Sequence, residues 1–230
     1  MWTDERRYVL RLISEGEHEQ QDFKYRVEDA EKLARSVSAF ANTRGGRLLI
    51  GVRDDGVVSG VRSEEEIYVM HQAAYKYCRP EASIKFDTFH VDGRTVVMAT
   101  VPPSERRPVM AFEEGKEERA VASAPQHGRQ ASGGRWRAFI RIADENIVAS
   151  PVHLAIWREE QALRGAAFTY GDNERQLMAA MTGAGPLRLN AIVKRSQLPR
   201  REVTVLLGRL CRYGLVQWQL REHEFVFALV

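Results

Sequence analysis

Ser38-Ala39-Phe40-Ala41-Asn42-Thr43-Arg44-Gly45-Gly46-Arg47-Leu48-Leu49-Ile50-Gly51-Val52 joins a helix to a strand with almost nothing between them. Leu33, Val37, Phe40 and Ala41 stand at i, i+4, i+7 and i+8, one apolar stripe of a helix running from Glu28 to Asn42. Asn42 and Thr43 end that helix. The glycine pair Gly45-Gly46 supplies a left-handed terminus and lets the next segment pass close to the helix. Arg47 to Val52 reads as a strand with a buried apolar run, and Asp54-Asp55-Gly56 as the turn behind it. The fold class expected is α+β, a mixed α/β domain followed by a smaller second domain.

Working outward, a helix from Thr3 to Ser14 is expected, with Thr3 as its N-cap and Asp4 and Glu5 in the first turn. A short strand follows at Gln21–Tyr25. Ser63 begins another helix, burying Ile67, Met70, Ala74 and Tyr77, and Arg79-Pro80 ends it. Strands near Ser83–His90 and Thr95–Val101 are joined by Asp92-Gly93, a hairpin signal. Residues 113–135 lack periodicity and read as a long insertion. Trp136–Arg141 is a strand, and Ser150 caps a helix with Pro151 at its first position. Gly165–Gly171 reads as a linker, giving domains at 1–165 and 172–230.

The 230 residues are 44% hydrophobic and 28% charged, as in ordinary globular proteins. No run approaches a membrane span, and Met1 to Arg7 has neither an apolar core nor a cleavage site, so a cytoplasmic protein is expected. Cys78 and Cys211 stand alone, which excludes a CxxC motif. The net charge is +3, but from Asp172 onward nine basic side chains face five acidic ones, so the excess lies in the last quarter. Six scattered histidines form no i, i+4 pair, which argues against zinc. Ser104, Ser123 and Ser132 lack a Gly-x-Ser-x-Gly setting. The Gly46–Gly51 spacing is no P-loop, because Val52-Arg53 stands where Lys-Ser or Lys-Thr would be. The four Trp and seven Tyr form no stripe and are expected in the cores. No cofactor is expected.

Glu17, Asp22-Phe23-Lys24, the run from Ser38 to Gly46, Leu49-Ile50-Gly51-Val52 and Asp54-Asp55-Gly56 together resemble the Schlafen/AlbA-like domain of bacterial transcriptional regulators. Pro80, Val101-Pro102, Pro108 and Phe139-Ile140-Arg141 extend the resemblance over roughly residues 10 to 160. It implies nucleic-acid binding through Lys24, Asn42, Arg44, Gly45, Gly46 and Arg141, with backbone N–H groups and Arg44 meeting phosphates. Fold punctuation explains several of the same residues equally well. Relatives that cut RNA imply an alternative, a ribonuclease holding Mg or Mn on Glu17, Asp22 and Asp54. Asp22 stands where that pattern has Glu, which shortens the side chain by one methylene.

The last 59 residues follow another pattern: a helix capped by Asp172 with Leu177, Met178 and Met181 inside, a helix at Leu189–Arg195, and a turn at Ser196–Pro199. A third helix runs from Arg200 to Tyr213 with Val203, Leu206, Leu207 and Leu210 inward, before a hairpin around Arg221-Glu222-His223. The order resembles the winged-helix family, which implies a third helix lying in the major groove of double-stranded DNA. Arg200, Arg201, Thr204, Gly208, Arg209 and Arg212 are expected on its outward face, with Lys194 and Arg195 on phosphates beside the groove. The leading function is thus a DNA-binding transcriptional regulator, possible as a homodimer. The alternatives are the ribonuclease and a non-enzymatic dimerisation module.

Overall fold

In the computed structural model residues 2–61, 64–114, 134–162 and 170–230 are described. The expected N-cap Ser63, most of the 113–135 insertion and most of the 165–171 linker lie outside them. The chain divides into two units, Met1–Val148 and Ala149–Val230.

The first unit is built around helix α2 (Ala30–Asn42), which Asp29 caps by accepting the Lys32 N–H at 3.0 Å. Leu33, Ala34 and every residue from Ser36 to Asn42 are buried, so the helix is covered on nearly all sides. One sheet beside it has the order β1 (Gln21–Lys24), β2 (Gly46–Ile50), β5 (Arg94–Val101) and β4 (Lys85–Val91), with β1 and β2 parallel. The second has the order β3 (Cys78–Arg79), β6 (Met110–Glu113), β7 (Arg135–Ile142) and β8 (Glu145–Val148). Helices α1 (Trp2–Glu15) and α3 (Glu65–Tyr75) complete the unit. Helix α1 starts ahead of Thr3, which is therefore helical rather than its cap.

The glycine pair does what its chemistry allows. Gly45 has φ +74° and donates its N–H to Phe40 O at 2.9 Å. A Cβ on Gly46 would lie 2.2 Å from the Phe40 ring. The strand can leave the helix this tightly only without a side chain there.

Just before that exit, α2 completes the second sheet. Strands β6 and β7 pair from Glu113↔Arg135 to Met110↔Ala138, so the next pair in register is Val109 with Phe139. Two relays of α2 side chains stand where its hydrogen bonds would fall. Val109 N–H donates to Asn42 Oδ1 at 2.7 Å, and Asn42 Nδ2 donates to Phe139 O at 2.9 Å. Phe139 N–H donates to Ser38 Oγ at 3.1 Å, and Ser38 Oγ donates to Val109 O at 2.7 Å. Thr43 Oγ1 then accepts the Arg141 N–H at 2.9 Å.

In the second unit α5 (Asp172–Met181), α6 (Leu189–Ser196) and α7 (Arg200–Arg212) surround a core of Leu177, Ile192, Leu207 and Leu210. A sheet of order β10 (Val216–Arg221), β11 (Glu224–Leu229) and β9 (Leu187–Arg188) closes it. Helix α4 (Pro151–Gln161), capped by Ser150 as expected, belongs here and not with the first unit. Val152 sits in the same core, and a Cβ on Gly208 would come within 2.5 Å of Ala155 Cβ, so α4 and α7 touch almost backbone to backbone. Asp172 is the first residue of α5 rather than its cap. Gly171 precedes it, its N–H donating to the Glu174 carboxylate at 3.1 Å. Among the described residues no helix is long and apolar enough to cross a membrane.

His153 of α4 is buried between the Trp218 and Phe225 rings, at centroid distances of 4.6 and 4.5 Å, and its Nε2 has no partner among the described residues. Burial lowers its pKa from 6.5 to about 4.

Two predictions follow from this packing. Asn42→Ala leaves Val109 N–H and Phe139 O unsatisfied and is expected to cost roughly 3 kcal/mol in urea unfolding at neutral pH; a change near zero would show the relay to be dispensable. The His153 ring stays neutral in the fold while the unfolded chain takes up a proton below 6.5. Stability is therefore full above pH 6.5 and falls toward pH 4, by up to roughly 3 kcal/mol. Melting curves across that window should lose this part of their pH dependence in His153→Phe.

Candidate nucleic-acid interface

The turn between α6 and α7 is set by Gln197, left-handed at φ 57°, whose N–H donates to Val193 O at 3.1 Å. Buried Leu198 anchors the turn, and Pro199 leads into α7. Gln176 Nε2 holds the end of α6 by donating to Ser196 O at 2.6 Å. The turn separates Lys194 and Arg195, in the last turn of α6, from Arg200 and Arg201 in the first turn of α7. All four are exposed. Arg195 Nε donates to Ala180 O at 2.8 Å, and Arg200 donates to Asn190 Oδ1, so both are oriented by neutral acceptors. Among the described residues Lys194 and Arg201 have no carboxylate within ion-pair distance. Thr204 is half-buried and its Oγ1 donates back to Arg200 O at 2.8 Å.

The other half of α7 departs from expectation. Gly208 is buried under α4. Arg209 pairs with Glu174 at 3.1 Å and Glu159 at 3.7 Å, and Arg212 donates to Glu159 O. These three residues face α4 and α5 rather than outward, because α4 occupies a side of α7 that the sequence reading left open. At the hairpin tip Glu222 and His223 have φ of 49° and 62°, and Arg188 pairs with Glu224 and, at 3.7 Å, with Glu222. The tip is of mixed charge.

In the first unit Asp22 and Arg141 are 4% and 2% exposed. Lys24 Nζ lies 2.8 Å from one Asp22 oxygen, and Arg141 Nη2 3.5 Å from the other. Arg141 also donates to Asn146 Oδ1 at 3.0 Å and lies 5.2 Å over the Phe40 ring. Expected to face nucleic acid, it is instead sealed inside. Glu17 Oε1 accepts the Phe23 N–H at 2.8 Å. Its pKa is raised, first by burial and then by a hydrogen bond with Asp22. Glu17 and Asp22 do meet, but Asp54 sits in the exposed turn. Among the described residues no three His, Cys, Asp or Glu side chains could hold a metal ion together. The two carboxylates, one already held by two cations, fit a divalent ion poorly.

Asn42 is buried in its relay, and Gly45 and Gly46 serve the tight exit from α2, so the polar edge expected there is internal. Arg44 alone of that run is exposed, 3.7 Å from Glu19. It borders an open groove of about 640 Å³ with Tyr8, His18, Arg47 and Pro103. Arg47 pairs with Glu15 at 2.7 Å.

The aromatic residues are not all in the cores. Tyr68 is 63% exposed, and Phe112 and Trp136 are half-buried outside the main core. The alternation that exposes Phe112 lies in β6, a four-residue strand too short to announce itself.

No functionally curated protein matches the sequence. Among solved structures, the chain is similar to the DIP2311 protein of Corynebacterium diphtheriae (18% identity, TM-score 0.44), with 90% of this chain and 34% of that one covered. It spans about a third of that protein's length. It is also similar to the N-terminal domain of a protein described as related to the ATP-dependent DNA helicase RecG, from Nitrosomonas europaea. There identity is 21% and the TM-score 0.37, over 53% of this chain and 91% of that one. The profile of the family described as Schlafen, AlbA_2 matches residues 17–147, from the Glu17–Asp22 pair through α2 and its relays to the last strand of the second sheet. That is more than half of the sequence: the chain belongs to the Schlafen AlbA_2 family.

Proposed function

We propose that the protein binds nucleic acid, and that its second unit is a winged helix docking on double-stranded DNA as part of a cytoplasmic transcriptional regulator. The element order supports the reading: helix α5, strand β9, helices α6 and α7 across a tight turn, then the β10–β11 hairpin. The observation that carries it is four cations flanking the tight turn, Lys194, Arg195, Arg200 and Arg201, all exposed and without a carboxylate ion-pair partner among the described residues. Arg175, Arg188 and Arg209 of the same unit are instead held by carboxylates.

Mechanistically, the first turn of α7 enters the major groove. Arg201 there reaches a guanine edge or a phosphate, while Lys194, Arg195 and Arg200 hold the backbone alongside. Thr204 lies one turn further in. The hairpin tip, with Glu222 and Glu224 beside Arg188 and Arg221, contributes little attraction, so the grip is concentrated on one end of the helix. The ribonuclease alternative gains no support from the carboxylate geometry. A homodimer would present two such helix ends, and sedimentation at graded concentration tests that point.

The experiment is anisotropy of labelled duplex DNA at graded salt. Binding should weaken steeply with salt, and Lys194→Ala and Arg201→Ala should each lower the slope by about one. Salt-insensitive binding, or variants indistinguishable from the parent, would remove the DNA-binding reading and leave a protein-docking module.

A further inference from the structure

Along β6 and the residue before it, side chains alternate between two faces. Val109 and Ala111 are fully buried against α2, whereas Met110 and Phe112 lie on the other face and stay half-buried. Phe112 is directly opposite Trp136 of β7, and Met110 opposite Arg79 of β3. The result is a row of rings. The Phe112 and Trp136 centroids are 5.3 Å apart, and Tyr77 lies 6.3 Å from Phe112. A cation closes each end. Lys76 Nζ is 5.3 Å over Tyr77, and the Arg79 guanidinium is 4.5 Å over Trp136.

The fold does not need this row for its core. Tyr77 only flanks the main cluster, and neither Phe112 nor Trp136 belongs to it. The electrostatics favour a polyanion. Lys76, Arg79 and Arg135 are exposed, and Lys76 and Arg79 have no ion pair among the described residues. Of the carboxylates nearby, Glu113 is already held by Arg35 at 3.1 Å and Arg137 at 3.2 Å, while Glu81 and Glu114 are exposed. Planar rings flanked by cations match the two surfaces of an unpaired nucleotide, its π-face and its phosphate. A duplex hides its base faces in the stack and cannot use such a row.

We propose that Tyr77, Phe112 and Trp136 form a stacking platform for unpaired bases of a single-stranded nucleic acid, with Lys76 and Arg79 on the adjoining phosphates. The platform lies wholly in the first unit and is independent of duplex binding by the second. Ring stacking reads no base edge, so the preference among sequences is weak.

The test measures anisotropy of fluorescein-labelled oligouridylate and oligothymidylate of about 16 nucleotides, with a duplex DNA as a third arm. Trp136→Leu and Arg79→Gln are each expected to weaken single-strand binding about tenfold. Trp136→Phe should retain most of it, and duplex binding should be unchanged throughout. The tighter of the two single strands identifies the sugar. Absence of single-strand binding by the parent protein, or parental affinity retained in Arg79→Gln and Trp136→Leu, overturns the platform. Arg79 is exposed, so its variant reads out even if Trp136→Leu fails to fold. A failure of the duplex arm alone counts against the winged helix and not against this row.

Discussion

Two missing ladder hydrogen bonds organise the first unit. Where β6 and β7 would next pair, Val109 and Phe139 bond instead to Asn42 and Ser38, so the end of α2 is stitched into the sheet as though it were a strand. Buried backbone groups must find partners, and here a side chain must offer both a donor and an acceptor to serve both strands, as the Asn42 amide and the Ser38 hydroxyl do. At position 42 aspartate lacks the donor and leucine lacks both. The same stitch carries Thr43 to the Arg141 N–H, which fixes β7 at the point where its arginine can reach Asp22 of the other sheet. Helix, first sheet and second sheet are thereby registered against one another by Ser38, Asn42 and Thr43 at the end of α2.

The Asp22–Arg141 contact shows what that registration is used for. A buried ion pair repays its desolvation only with good geometry and further hydrogen bonds, so it specifies an arrangement more than it stabilises one. Arg141 meets the condition in part, through Asn146, Gln21 O and the Phe40 ring, while its Nε is buried without a partner among the described residues. Lys24 adds a second cation on Asp22, and Glu17 leans on the same carboxylate with a raised pKa. Charged residues of the kind that often mark a ligand site are here consumed by one another. Between Glu17 and Lys24 this chain holds an internal electrostatic joint between sheets.

Much of the fold was legible because period and punctuation agree in it. The stripe of Leu33, Val37 and Phe40, the Asp92-Gly93 hairpin and the Ser150-Pro151 start each carry a local physical reason that the structure bears out. Strands β3, β6, β8 and β9 did not declare themselves, since two to four residues complete no repeat. The roles of Asn42 and Arg141 were out of reach for a different reason: Asn42 bonds to residues 67 and 97 positions away, and Arg141 to one 120 positions away. A polar residue beside glycines reads equally well as a phosphate contact until those partners are known. The engagement of Arg209 and Arg212 depends on α4, which packs on the Gly208 side of α7 from far earlier in the chain and gives no local sign of doing so.

That covering helix limits what the second unit can do on DNA. With Arg209 and Arg212 held by α4 and α5, the proposed interface keeps Lys194, Arg195, Arg200 and Arg201, at most four phosphate contacts. At a slope of about −0.9 per contact, a fourfold rise in salt costs such an interface about a hundredfold in affinity, against 10³–10⁵ for a protein making six to ten contacts. The electrostatic grip of one copy is thus about half that of a typical binder. Tight occupancy of a site in the proposed role therefore needs more than this helix end, either a second copy on a neighbouring half-site or base contacts from Arg201 that add directly to the phosphate grip. The packing of α4 against Gly208 stabilises the unit at the expense of the very surface through which a longer recognition helix would bind.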